Sequence, residues 1–154
     1  MVDVMNSMIR KLGKEDLDCV MNIWLSSTCK AHSFINKEYW IQHYDTVKDI
    51  YLPMSETFVY DDGHRIRGFI SIIDHEYIGA LFIDVDYQGF GVGSLLLDYV
   101  GDRYKKLRLA VYKENIQAMN FYLKKGFVIQ KEQVNEDSGH IEYIMEKLIG
   151  SESL

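Results

Sequence analysis

Residues 88 to 93 read Gln88-Gly89-Phe90-Gly91-Val92-Gly93, between an apolar run ending Ala80-Leu81-Phe82-Ile83 and a helix-like segment beginning at Ser94. The chemistry of such a stretch is anion binding. A strand that feeds a glycine-spaced turn and then a helix leaves the first N–H groups of that helix without partners. The helix dipole adds partial positive charge there, and a phosphate fits the place. Glycine lets the backbone approach a ligand with no Cβ in the way. The spacing excludes two common phosphate turns. A dinucleotide fingerprint needs Gly-x-Gly-x-x-Gly, but the third position falls on Ser94 counting from Gly89 and on Leu96 counting from Gly91. A P-loop ends Gly-Lys-Ser/Thr, and Gly93 is followed directly by Ser94. What remains is Gln88-x-x-Gly91-x-Gly93, read either as a pyrophosphate turn or as a glycine-rich helix start without a ligand.

The elements that position this turn follow from periodicity. Met8 to Leu12 alternates and reads as a short strand. Leu17, Val20, Met21, Trp24 and Thr28 recur at helical spacing. A polar and aromatic stretch, Ser26 to Ile35, leads to Asn36, a plausible N-cap. Trp40, Tyr44, Val47 and Tyr51 form one stripe of a second helix, expected to stop before Pro53. Thr57 to Tyr60 and Arg67 to Ile73 flank the turn Asp61-Asp62-Gly63-His64, and a third strand runs from Tyr77 to Val85. A helix from Gly91 to Tyr104, a strand from Leu107 to Val111 and a helix capped by Asn115 follow. Gly126 suits the end of that last helix. Phe127 to Val134 and Ile141 to Leu148 close as a hairpin. The order is β-α-α-β-β-β-α-β-α-β-β. The early strands lack crossover helices and are expected antiparallel, while the αβ pieces can place strands in parallel. The fold class is α/β (α+β mixed): a mixed, mostly antiparallel sheet of about seven strands with helices on both faces.

Composition narrows the function. The 154 residues suit one domain, 1–154, with residues 1–7 expected as a flexible N-terminus. The hydrophobic share of 47% and the single proline argue for one packed core without a linker. The net charge of −6 argues against a nucleic-acid or anionic-membrane partner and suits a cationic substrate. No apolar run is long enough to span a membrane, and the start lacks a secretion signal, so a cytoplasmic location is expected. Cys19 and Cys29 read as ordinary thiols. No His-x-x-x-His or Cys/His cluster occurs, so no metal site is expected. Trp40 and Tyr143 are compatible with either core or a homodimer interface.

A second constellation runs from Val111 to Phe127, with Asn115, Ala118, Phe121, Tyr122 and Gly126 between. It resembles the GNAT acetyltransferase pattern Val-x-x-x-Asn-x-x-Ala-x-x-Phe-Tyr-x-x-x-Gly-Phe at every named position. Gln88, Gly91 and Gly93 match that superfamily's pyrophosphate pattern Gln/Arg-x-x-Gly-x-Gly/Ala, and the element order matches from Ile9 to Leu148. Ser27 to Ile35 and Ala80 to Asp84 look like small bacterial members associated with acetylation of lysine or other amines. The resemblance implies acetyl-CoA as co-substrate, without a metal. It implies that the backbone of Leu81, Phe82 and Ile83 pairs with the pantetheine arm. It places the pyrophosphate on Gln88, Gly89, Phe90, Gly91, Val92, Gly93 and Ser94, and Asn115 near the reactive end.

The catalytic roles follow from the resemblance and from acid–base chemistry. An amine attacking a thioester expels a thiolate. A phenol with a pKa of about 10 keeps its proton at pH 7 and can donate it to that sulfur. Tyr122 fits this role; its alternative is a core tyrosine beside Phe121. A lysine-type amine must also lose a proton, at a cost of about 4.6 kcal/mol at pH 7. Members that acetylate ribosomal-protein N-termini carry a glutamate five positions before the motif asparagine; here that position is Ala110. Glu76, Asp84 and His32 are the remaining candidates for the base, and Glu76 is selected. His32, Phe34 and Tyr77 are expected to line the acceptor pocket, and Lys124 and Lys125 either approach a phosphate or complement the helix dipole. The leading reading is an N-acetyltransferase that moves an acetyl group to a primary amine, a protein lysine or a small amine, by direct attack in a ternary complex. The alternative is a non-catalytic acyl-CoA-binding sensor on the same fold. A third reading, acetylation of charged transfer RNA, conflicts with the acidic balance.

Overall fold

The computed structural model describes residues 8–148; the expected flexible N-terminus, residues 1–7, lies outside them. Seven strands form one sheet: β1 (Ile9–Lys11), β2 (Glu56–Asp61), β3 (Ile66–Ile73), β4 (Tyr77–Ile83), β5 (Lys106–Tyr112), β6 (Val128–Val134) and β7 (Ile141–Leu148). Four main helices accompany them: α1 (Leu17–Ala31), α2 (Lys37–Thr46), α3 (Val92–Gly101) and α4 (Ile116–Lys124). The spatial order is β1-β2-β3-β4-β5-β7-β6. Neighbouring strands are antiparallel except β4 and β5. The strand after α4 is therefore not laid beside β5; β7 inserts between β5 and β6 because the closing hairpin pairs back onto the sheet.

Two cores form on the two faces, as the alternation within each strand requires. Phe58, Ile70, Ile72, Leu107, Leu109 and Met145 face α3 and α4, meeting Leu96, Leu97, Val100 and Tyr122. Val59, Ile66 and Phe69 face the opposite way, under Val20, Met21, Ile23 and Trp24 of α1. Trp40 packs on this second core and Tyr143 on the first, so both weighed interface aromatics serve as packing. The second core draws its strand residues from β2, β3 and β4. Beyond β4, α2 reaches over the same side, its Tyr39 and His43 meeting Asp137 of the β6–β7 turn at 2.6 and 2.9 Å.

Several element boundaries differ from the sequence reading. α1 continues through Ala31, leaving only His32 to Asn36 as the link to α2. The second helix does not stop before Pro53. A widened π turn spans Val47–Tyr51, with the Leu52 N–H donating to the Val47 carbonyl, and a last turn, Leu52–Met54, contains the proline. Pro53 offers no N–H and crowds the preceding turn; the wider turn accommodates it. β4 ends at Ile83, and Val85–Tyr87 form a tight turn capped by Asp84, whose carboxylate accepts from the Asp86 N–H.

Leu96 is fully buried under the sheet, whereas Phe90 is 69% exposed. Leu96→Ala is expected to lower the unfolding free energy by about 3 kcal/mol, and Phe90→Ala by less than about 0.5 kcal/mol. Urea unfolding of the two variants checks both.

Candidate active site

β4 and β5 share a single register pair, Tyr77 with Arg108, and then diverge. The divergence leaves one edge of β4 without a strand partner toward Ile83. A cleft of about 690 Å³ opens there, lined by Leu81, Phe82 and Ile83 of β4, by Gln88, Gly89, Gly91, Val92, Gly93 and Ser94, and by Asn115 and Tyr122 of the α4 region. The two sequence constellations thus meet in one cavity.

The glycine turn is shaped for its task. Gly91 has φ +85° and occupies the N-cap of α3, and no side chain caps that helix. A Cβ at Gly91 would meet no protein atom within 4 Å, so the demand for glycine comes from the dihedral and from the open space in front. The first N–H groups of α3 are left to the cleft. Lys30, near the end of α1, lines the same cavity and adds a cation. Lys125 is engaged elsewhere, paired with Asp98 at 2.8 Å.

Gln88 also braces the turn. Its Nε2 donates to the Ile83 carbonyl at 3.1 Å, and Ser27 Oγ donates to the same oxygen at 2.8 Å. The Phe90 side chain points to solvent against Tyr87 and is not part of the cavity lining, which leaves only its backbone for the expected phosphate contact. Its ring follows a turn residue whose backbone alone belongs to the anion site.

Tyr122 is held by its neighbours. Phe121 and Phe127 stand edge-on to it, with centroids 5.2 and 5.4 Å away. Gly126, with φ +96°, ends α4, and the Phe127 N–H returns to the Tyr122 carbonyl at 3.0 Å. Burial raises the phenol pKa, and the nearby Tyr77 raises it further. The group therefore stays protonated throughout the neutral range.

Asn115 is both cap and contact. Its Oδ1 accepts from the Ala118 N–H at 3.2 Å, and its Nδ2 lies 3.2 Å from His32 Nε2. His32 Nδ1 lies 2.9 Å from the Thr28 carbonyl, which can only accept. Nδ1 therefore carries the hydrogen, and Nε2 accepts from Asn115. Burial lowers the His32 pKa to about 4, with the Thr28 carbonyl opposing in part. His32 is a neutral clip between the end of α1 and the start of α4, and both its nitrogens are committed.

The remaining candidates lie outside the cleft lining. Glu76 sits before β4, at the closed end of the strand gap, with Arg108 at 3.1 Å and Lys106 at 3.8 Å. It is not among the residues that line the cleft. Asp84 caps a turn and faces Arg65 at 3.4 Å. Phe34 packs on His32, Tyr112 and His140, and Tyr77 stands where β4 and β5 part. Sequence reasoning passed over Tyr112 and Glu142, which face each other across β5 and β7. No local spacing marks such a pair. Among the described residues no group of three or more His, Cys, Asp or Glu side chains is arranged to hold a metal ion. No helix among them is long and apolar enough to cross a membrane.

The model of the acetyltransferase (GNAT) domain matches residues 29–148, more than half of the chain. The chain belongs to the GNAT acetyltransferase family. It is an N-acetyltransferase. The peptidyl-lysine N-acetyltransferase YiaC of Escherichia coli is 34% identical over 122 residues, covering 79% of this chain and 84% of that protein. The peptidyl-lysine N-acetyltransferase YjaB of Escherichia coli is 30% identical over 132 residues, covering 85% and 88%. The solution structure of apo-form YjaB superposes with a TM-score of 0.79 at 27% identity, over 92% of this chain and 97% of that one. The PaiA N-acetyltransferase of Thermoplasma acidophilum, solved in complex with coenzyme A, shares the fold with a TM-score of 0.76 at 23% identity, over 91% and 97%.

The neutral state of His32 couples this acetyltransferase's stability to pH. The unfolded imidazole binds a proton near 6.5 and the folded one near 4. The unfolded state therefore holds more protons between these values, and stability falls as pH drops from 6.5 toward 4. The loss from this group approaches about 3 kcal/mol. Urea unfolding at pH 7 and pH 4.5 is expected to show a smaller drop for His32→Asn than for the parent.

Proposed function

We propose that the cleft takes acetyl-CoA and that the acceptor is a lysine-type primary amine, a protein lysine foremost. The observation that carries this reading is the meeting, in one cavity, of an uncapped helix start, a free strand edge and a buried phenol. The N–H groups at Gly91 to Ser94 suit a pyrophosphate. The open edge of β4 suits an extended amide-bearing arm, which adds to a sheet as a strand does. Acetyl-CoA supplies an activated acetyl thioester. Tyr122, its proton retained by burial, donates to the departing sulfur. His32 and Asn115 hold the mouth of the gap rather than exchanging protons. Glu76 has no part, since its carboxylate is occupied by Arg108 and Lys106. The preference for a protein lysine follows the two peptidyl-lysine N-acetyltransferases that this chain resembles over most of its length. A sensor that only held acyl-CoA would have no use for a phenol aimed into the cleft.

The test follows release of free coenzyme A from acetyl-CoA with lysine peptides, polyamines, aminoglycosides and amino acids. Acceptor-dependent release is expected with lysine peptides, and Tyr122→Phe is expected to lower it at least about tenfold, equivalent to about 1.4 kcal/mol of barrier. Coenzyme A bound without turnover for every acceptor would favour the sensor reading.

Gly91→Ala forces a side chain into the left-handed region and into the space in front of the turn. It is expected to destabilise the fold by about 1–2 kcal/mol and to weaken coenzyme A binding at least about tenfold. Thermal melts and titration calorimetry measure the two effects separately.

A further inference from the structure

Three carboxylates are buried among the described residues: Asp16, Asp84 and Glu142. Asp16 is held by Arg10 at 2.7 Å, and Asp84 by Arg65 at 3.4 Å with Arg67 at 3.8 Å. Glu142 is 8% exposed and has no cationic partner among the described residues. Its two oxygens accept from neutral amides, Gln133 Nε2 at 2.7 Å and Asn135 Nδ2 at 3.2 Å. A buried carboxylate is costly unless it is paired, and these amides satisfy hydrogen bonds without supplying the missing charge.

Its position says what could supply it. Glu142 lies opposite Tyr112 in the β5–β7 ladder, so their side chains share a face. That face is bordered by Phe34 of the α1–α2 link and by Tyr39 of α2, whose hydroxyl donates to Asp137 of the β6–β7 turn at 2.6 Å. Tyr77 stands at the boundary, where β4 and β5 part. Its phenol is influenced by the charge of Glu142 on one side and in turn influences Tyr122 on the other. Tyr112 also stands against Phe34 at 5.7 Å, which closes an aromatic wall. A buried carboxylate paired in register with Tyr112, and close enough to influence Tyr77, suits an ammonium group, drawn by opposite charge and with aromatic rings nearby.

We propose that Glu142 is the counter-charge of the acceptor pocket, receiving the ammonium of a cationic primary amine beside Tyr77 and Tyr112 and accepting its proton. This rests on the amine-acceptor reading given above. The carboxylate takes one proton from R–NH3+, which frees the nitrogen lone pair. The nitrogen forms a C–N bond to the thioester carbonyl, and the C–S bond breaks. Tyr122 gives its proton to the sulfur, and the surplus proton on the new amide nitrogen passes to the Tyr122 oxygen. Glu142 then releases its proton to solvent. The products are one amide, one thiol and one proton. Glu142 thus explains why a cation is selected, and Ala110, on the neighbouring strand, needs no carboxylate.

Glu142→Gln keeps a side chain able to meet Gln133 and Asn135 while removing the charge. With a lysine peptide it is expected to raise KM at least tenfold. With an arylamine, neutral at the assay pH, KM should change less than threefold, and calorimetry should find coenzyme A affinity within twofold of the parent. Lysine-peptide kinetics within twofold of the parent would overturn the assignment while leaving the acetyltransferase reading intact. A second arm uses the unsubstituted protein with coenzyme A, so it does not require the variant to fold. Nα-acetyl-lysine amide should raise the melting temperature, and the analogue bearing a hydroxyl in place of the ammonium should not. Equal shifts, or none with the lysine compound, would also overturn it. If the protein acetylates no amine yet binds coenzyme A, the acceptor reading itself fails, which the kinetic arm reports separately from Glu142.

Discussion

One unsatisfied strand edge organises this molecule. Among the described residues β4 and β5 are the only parallel neighbours in the sheet, and they hold each other at one register pair before diverging. Buried backbone N–H and C=O groups need partners, so an edge opened inside a sheet must be answered. The protein answers part of it: Ser27 and Gln88 both donate to the Ile83 carbonyl. The rest faces the cleft, where a ligand with its own amides can complete the ladder. The anion turn, the phenol and the acceptor face all take their positions from this gap.

The gap lies in a sheet whose two faces carry separate cores. α3 and α4 pack on one face, and α1 and α2 on the other. At the mouth of the gap a polar clip joins His32 at the end of α1 to Asn115 at the start of α4. The clip uses a neutral imidazole, whose low pKa follows from burial. In the proposed reaction a histidine so placed serves as a strut. The same residue type in a wetter place would read as a base.

In the proposed reaction the two proton tasks are divided between Tyr122 and Glu142. Burial holds the Tyr122 phenol above its ordinary pKa, which suits a group that gives its proton only to a developing thiolate. The amine's own proton must leave toward the aromatic wall and Glu142. The acidic balance of the whole chain, −6, favours approach of a cationic acceptor. Positive charge is placed locally, at Lys30 and the α3 start, where a phosphate would lie.

The anion turn and the Asn115-to-Phe127 motif were legible in the sequence because their chemistry is local. Glycine spacing sets dihedrals over a few residues, and an N-cap, a tyrosine and a C-terminal glycine lie on one helix. Strand alternation likewise foretold a mixed sheet with helices on both faces. The run from Val47 to Met54 misled, because a proline that usually ends a helix was absorbed by one widened turn. Only tertiary structure decided the acid–base geography. Glu76 begins the strand that borders the gap, and the fold sets its carboxylate beside Arg108 and Lys106. Glu142 looked like one of 23 acidic residues; pairing of β7 with β5 buried it beside Tyr112 and left it without a cation. Local sequence determines backbone conformation, whereas burial and charge pairing depend on residues distant in the chain.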